Sequence, residues 1–84
     1  MRYHDNGAFY SVSISAREVQ DFARRWPCFG DTRAIWVQWD LAGNLVDIEG
    51  DTGMDESGVL ALAADAQRWA FKVQARRTAR GVKS

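Results

Sequence analysis

RAIWVQWDLAGNLVDI, Arg33 to Ile48, reads as a β-hairpin, and the rest of the chain is organised around it. Ile35, Val37 and Trp39 alternate with Ala34, Trp36 and Gln38, the period-two pattern of a strand with one buried face. Val46 and Ile48 alternate with Leu45, Asp47 and Glu49 in the same way. Between the two runs, Asp40-Leu41-Ala42-Gly43-Asn44 has turn chemistry, with a side chain that bonds backbone amides and two residues that tolerate positive φ. Burial of the odd-numbered residues Ile35, Val37 and Trp39 sends the Trp36 indole to the opposite face.

Working towards the N-terminus, Ser15-Ala16-Arg17-Glu18 fits a capping box, with Ile14 and Val19 as its hydrophobic staple. Val19, Phe22, Ala23 and Trp26 follow at i, i+3, i+4 and i+7, one apolar stripe on a helix that Pro27 ends. Phe9 to Ile14 alternates as a strand, with Tyr10, Val12 and Ile14 on one side. Met1 to Gly7 reads as a turn or frayed end. Working towards the C-terminus, Asp55 is placed to cap a second helix, with Met54 and Val59 as staple. Val59, Leu62, Ala63, Ala66, Trp69, Ala70 and Val73 form its apolar face, which Leu60 and Phe71 widen. Arg77 breaks the pattern, so the helix end is expected to leave the domain.

The expected fold is α+β, in the order β-α-β-β-α: a three-stranded sheet with two helices packed on one face. The strand–helix–strand unit implies a parallel pair with a right-handed crossover. With 84 residues the chain is read as a single domain, 1–84, with its core at about 8–74 and a basic C-terminal extension at about 75–84.

The runs Ala23-Arg24-Arg25-Trp26-Pro27-Cys28, Gly43-Asn44-Leu45-Val46-Asp47-Ile48, Leu60-Ala61-Leu62-Ala63 and Asp65-Ala66 together resemble small uncharacterised α+β proteins carried on bacterial phages and plasmids. The resemblance covers Phe9 to Ala70. Phe29-Gly30-Asp31 departs from it, standing where a Ser-Gly-Leu type sequence follows the Cys in that family. It implies a mobile-element setting and no activity.

Formal net charge is zero, but the signs are segregated. No Lys or Arg occurs from Ala34 to Gln67, where seven acids lie: Asp40, Asp47, Glu49, Asp51, Asp55, Glu56 and Asp65. No acid occurs from Arg68 onwards. The composition excludes an internal disulfide, since Cys28 is the single cysteine. With no secretion signal and no apolar run near the ~20 residues of a membrane span, a cytoplasmic protein without membrane contact is expected.

Little in the chain is built for chemistry. Nucleophilic catalysis needs a base beside the nucleophile, but His4 is the single histidine and lies far along the chain from Cys28, which reads as a small buried hydrophobe. One Cys and one His give no zinc pattern. Asp47, Glu49, Asp51 and Asp55 lack calcium-loop spacing and read as solvated turn and cap acids. The glycines form no phosphate loop. Asp40 and Asp47 are the one carboxylate pair a hydrolase could use, yet so small a domain is expected to lack a pocket of ~300 Å³. No catalytic, cofactor or metal residue is therefore assigned, and the protein is expected not to be an enzyme.

Two contact surfaces remain. One is the sheet face opposite the helices, with Trp36 beside Phe9, Gln38, Leu45 and Asp47, or an edge of the sheet, as a site for a protein partner or a second copy; exposed indoles are enriched among interface hot spots. The alternative is nucleic acid, bound by Lys72, Arg76, Arg77, Arg80 and Lys83 through phosphates. A near-neutral isoelectric point of about 6.5 argues against the second.

Overall fold

The computed structural model describes the backbone of residues 1–26 and 32–82, and the side chains of 1–26 and 32–77. Cys28 and the tail residue Lys83 lie outside the described residues, as does the side chain of Arg80.

The fold is α+β, with an antiparallel sheet and two helices. Its sheet has four strands rather than three, in the order β1-β2-β3-β4: β1 (Arg2–Asp5), β2 (Phe9–Ile14), β3 (Ile35–Asp40) and β4 (Leu45–Gly50). The extra strand is β1, in the segment read as a frayed end. Asn6-Gly7 is in fact the turn of a hairpin. Asn6 Oδ1 accepts from the Phe9 amide at 2.8 Å, Asp5 Oδ1 accepts from the Gly7 amide at 2.8 Å, and Gly7 takes a φ of 88°.

Helix α1 (Ala16–Ala23) starts at the expected capping box. Ser15 Oγ accepts from the Glu18 amide at 3.2 Å, and Glu18 Oε1 accepts from the Ser15 amide at 3.3 Å. The staple residues Ile14 and Val19 are fully buried. The helix stops short of Trp26, and tighter i→i+3 turns carry the chain from Phe22 to Arg25 and from Ala23 to Trp26. These turns bring the Phe22 and Trp26 rings within 6.4 Å, nearly parallel.

The parallel crossover is not formed. β2 and β3 pair antiparallel, with Ile14 opposite Ile35, so the chain between them leaves and re-enters at one end of the sheet. The local strand–helix–strand pattern carries no information on this choice, since a connection of this length can return the chain to either end of the sheet.

Helix α2 (Glu56–Val82) is capped as expected, with Asp55 Oδ1 accepting from the Gly58 amide at 2.8 Å. Its Leu62, Ala63, Ala66 and Ala70 join Val19 of α1 in one core with Tyr3, Tyr10, Val12, Ile14, Ile35, Val37 and Trp39. The sheet members of this core are register partners across β1, β2 and β3, so both helices cover the same face. Leu60 and Phe71 do not widen the buried stripe; each is 49% exposed. Arg77 itself is still in contact with the sheet. Its guanidinium lies 4.6 Å over the Tyr3 ring, and Gln74 Nε2 donates to the Tyr3 hydroxyl at 3.1 Å. The apolar pattern breaks there because the helix has reached β1 and changes from burial to polar contact. Arg77→Ala should accordingly cost about 0.5–1 kcal/mol, read as a lower urea midpoint, and an unchanged midpoint would show the contact to be inert.

Two carboxyls make stability depend on pH. A hydrogen bond from the N-terminal amine to Glu18 Oε2, at 2.5 Å, holds the Glu18 carboxyl below its ordinary range. Asp40 is lowered too, first by the Asn44 backbone amide, which donates to Oδ1 at 2.9 Å. Folded-state values below unfolded ones mean stability that is complete above about pH 5, beyond the unfolded values, and lost as pH falls through the folded values. A Glu18→Gln/Asp40→Asn double variant should lose less stability than wild type between pH 5 and pH 2.5, measured by urea titration. Equal losses in the two proteins would refute this.

Candidate functional site

The face of the sheet opposite the helices is built row by row from strand register. In one row Arg2 pairs with Ser13, Ser13 with Trp36 and Trp36 with Glu49. In the next, His4 pairs with Ser11, Ser11 with Gln38 and Gln38 with Asp47. Each row alternates with a core row, because successive residues of a strand point to opposite faces. Trp39 is 2% exposed in the core, its ring 5.4 Å from that of Tyr10. Trp36 is half-buried on the open side.

Of the residues expected on this face, Trp36, Phe9, Gln38 and Asp47 are there, and Phe9 is 36% exposed. Leu45 is not. A register shift at Gln38/Trp39 makes Val46 an extra residue and sets Leu45 opposite Trp39, in a row with Tyr10 that belongs to the helix side. The same bulge leaves Val46 48% exposed rather than buried. Arg2, His4 and Glu49 join the face instead. Arg2 and His4 were hidden because a four-residue strand with one apolar side chain carries little alternation; the Asn6-Gly7 turn was the signal that could have revealed it.

Two depressions meet at Trp36. One of about 700 Å³ is open to solvent and is bordered by Arg2, His4, Ser13, Glu18, Trp36 and Glu49. A smaller one of about 110 Å³ lies towards Phe9, Ser11 and Gln38. The larger volume exceeds what was expected of so small a domain, but neither Asp40 nor Asp47 borders it. Asp40 is a turn residue: its backbone and carboxylate both bond Asn44, which donates from its side-chain amide at 3.3 Å. In the face itself His4 Nε2 and Ser13 Oγ are 3.2 Å apart. Among the described residues Arg2, Asp47 and Glu49 take part in no ion pair. The face therefore carries the Arg2 cation and the His4 imidazole along β1, the carboxylates of Asp47 and Glu49 along β4, and small hydroxyl side chains and an indole between them.

The basic segment of α2 is arranged differently. Lys72 and Arg76 are exposed one turn apart, Arg77 is engaged with Tyr3, and Arg68 is paired with Asp65. Among the described residues no group of three His, Cys, Asp or Glu could hold a metal ion, and no helix is long and apolar enough to cross a membrane.

No protein-family model, no curated protein and no solved structure matches this chain.

Proposed function

We propose that this chain is a non-enzymatic protein-interaction module whose contact surface is the open sheet face around Trp36. The observation that supports this most directly is the segregation of the layers: both helices pack on one side of the sheet, and a half-buried indole sits on the other. An indole in a shallow, charged surround offers a large apolar contact with polar edges, the composition of interface hot spots. β4, at one edge of the sheet with most of its residues exposed, offers a second way to meet a partner. The partner is a protein, or a second copy of the chain.

Trp36→Ala tests the reading. The variant should melt within a few degrees of wild type yet lose a bound protein, or a self-association, that wild type retains in chemical cross-linking and light scattering. A well-folded variant that keeps every association would refute it. A role as an accessory protein of a bacterial mobile element, acting in the cytoplasm, rests on the sequence resemblance, and the neighbouring genes test it.

The alternative, nucleic-acid binding, draws support from Lys72 and Arg76, exposed on one helical face and followed in sequence by Arg80 and Lys83. Binding to DNA or RNA that weakens steeply between 50 and 200 mM salt and disappears on removal of residues 76–84 is its signature. No binding at 50 mM salt disposes of it.

A further inference from the structure

We infer that the open face recognises the same face of a second copy of this chain, across a two-fold axis parallel to the strands. The inference rests on the reading of that face as a contact surface and adds the occupant and its geometry.

The argument is one of self-complementarity. Two identical sheets can meet face to face about two simple in-plane axes. An axis perpendicular to the strands lays β4 on β4, setting Asp47 and Glu49 against their own copies, and like charges in contact are unfavourable. An axis parallel to the strands reverses the strand order of the second copy, so that its β4 lies over β1 of the first. The row Arg2, Ser13, Trp36, Glu49 then meets Glu49, Trp36, Ser13, Arg2. Arg2 faces a carboxylate at each end, and each indole faces a serine, small enough to admit it. The second row behaves alike: His4, Ser11, Gln38, Asp47 meets Asp47, Gln38, Ser11, His4. Both rows are therefore complementary to their own reversal, and Arg2, Asp47 and Glu49 have no ion-pair partner among the described residues of their own chain. Aligned sheets pack at ~10 Å, a distance that opposed Arg and Glu side chains span.

Size sets the strength. Four strands at ~4.8 Å spacing, with strands of six residues at ~3.3 Å each, give a flat face of roughly 400 Å² per copy. At about 800 Å² in total that lies below the ~1,200–2,000 Å² of stable specific interfaces, so the dimer is a weak one, with a dissociation constant in the micromolar range or above.

Sedimentation equilibrium from about 10 µM to 1 mM at low salt tests this, with wild type, Arg2→Glu, Glu49→Arg, an equimolar mixture of the two variants, and Trp36→Ala, each checked for folding by circular dichroism. Wild type should dimerise, and each reversal alone should weaken dimerisation roughly tenfold or more, because both Arg2–Glu49 contacts of the dimer become like-charged. Mixing the two should restore it. In the mixed dimer the acid introduced by Arg2→Glu meets the base introduced by Glu49→Arg, and the unaltered Glu49 of one copy meets the unaltered Arg2 of the other. Wild type that stays monomeric at 1 mM overturns the second copy as occupant but leaves a different protein partner open to the Trp36 test. A dimer indifferent to the reversals, or not restored by mixing, overturns the geometry. A dimer that also survives Trp36→Ala shows association elsewhere and removes this inference.

Discussion

Trp39→Ala is expected to cost about 3–5 kcal/mol, read as a large fall in the urea midpoint at 25 °C. A domain of 84 residues has a total stability of roughly 4–12 kcal/mol, so the loss consumes much of it. The Trp39 indole is 2% exposed, stacks on Tyr10 and lies in the layer joining the sheet to α2. Removing it opens a cavity among Tyr10 and its neighbours that rigid strands cannot collapse to fill. The control is Trp36→Ala, three residues earlier on the same strand, which deletes the same indole from the open face. Its cost should be below about 1.5 kcal/mol, since the cavity term is absent where solvent replaces the side chain. Urea unfolding of both variants measures the difference. Equal costs would mean that the two faces of β3 are not distinguished as described, and the proposed contact surface would fall with them.

Gly50→Ala is expected to destabilise by about 3 kcal/mol or more, from two additive causes. Gly50 has a φ of 116°, a region that costs L-residues on the order of 1–3 kcal/mol. A Cβ there would also stand 2.6 Å from the Ala34 carbonyl oxygen and 2.9 Å from Ile35 Cα, backbone atoms just before and at the start of the strand it pairs with. Neither can yield without parting β3 from β4. Gly7→Ala separates the two causes. Gly7 also has positive φ, 88°, but a Cβ there meets nothing within 4 Å, so only the conformational cost of about 1 kcal/mol remains. Thermal melts of the two variants should differ by several degrees, with Gly50→Ala the lower. Matching melts would show that the close approach at Gly50 is relieved by relaxation.

The elements that could be read from the chain alone are those whose signal is local. The period-two run Ile35–Asp40 placed Trp39 inward and Trp36 outward, because alternation in a strand is a matter of backbone geometry. The caps at Ser15 and Asp55 were legible for a similar reason: each depends on a side chain within three residues of the amide it satisfies. Signals from short or irregular stretches were weaker. β1 has one buried residue, Tyr3, and that residue is stabilised by Gln74 and Arg77 from the far end of the chain, so its own side chains do not announce a strand and only the Asn6-Gly7 turn beside it does. Leu45 falls on the unexpected side because one extra residue in a hairpin reverses the faces beyond it, and a bulge leaves no compositional mark.

The sequence by itself determined every element but β1, the two helix caps, the buried side of β3 and the segregation of acids from bases along the chain. Tertiary structure alone decided that β2 and β3 run antiparallel, that α2 reaches β1, and that Arg2 and His4 share a face with Asp47 and Glu49. The division has a physical cause. Helix caps and strand alternation are settled over a few bonds, whereas the charge pattern of a sheet face is a sum over residues up to 47 positions apart, Arg2 and Glu49, brought into one row only when three strand pairings fall into register.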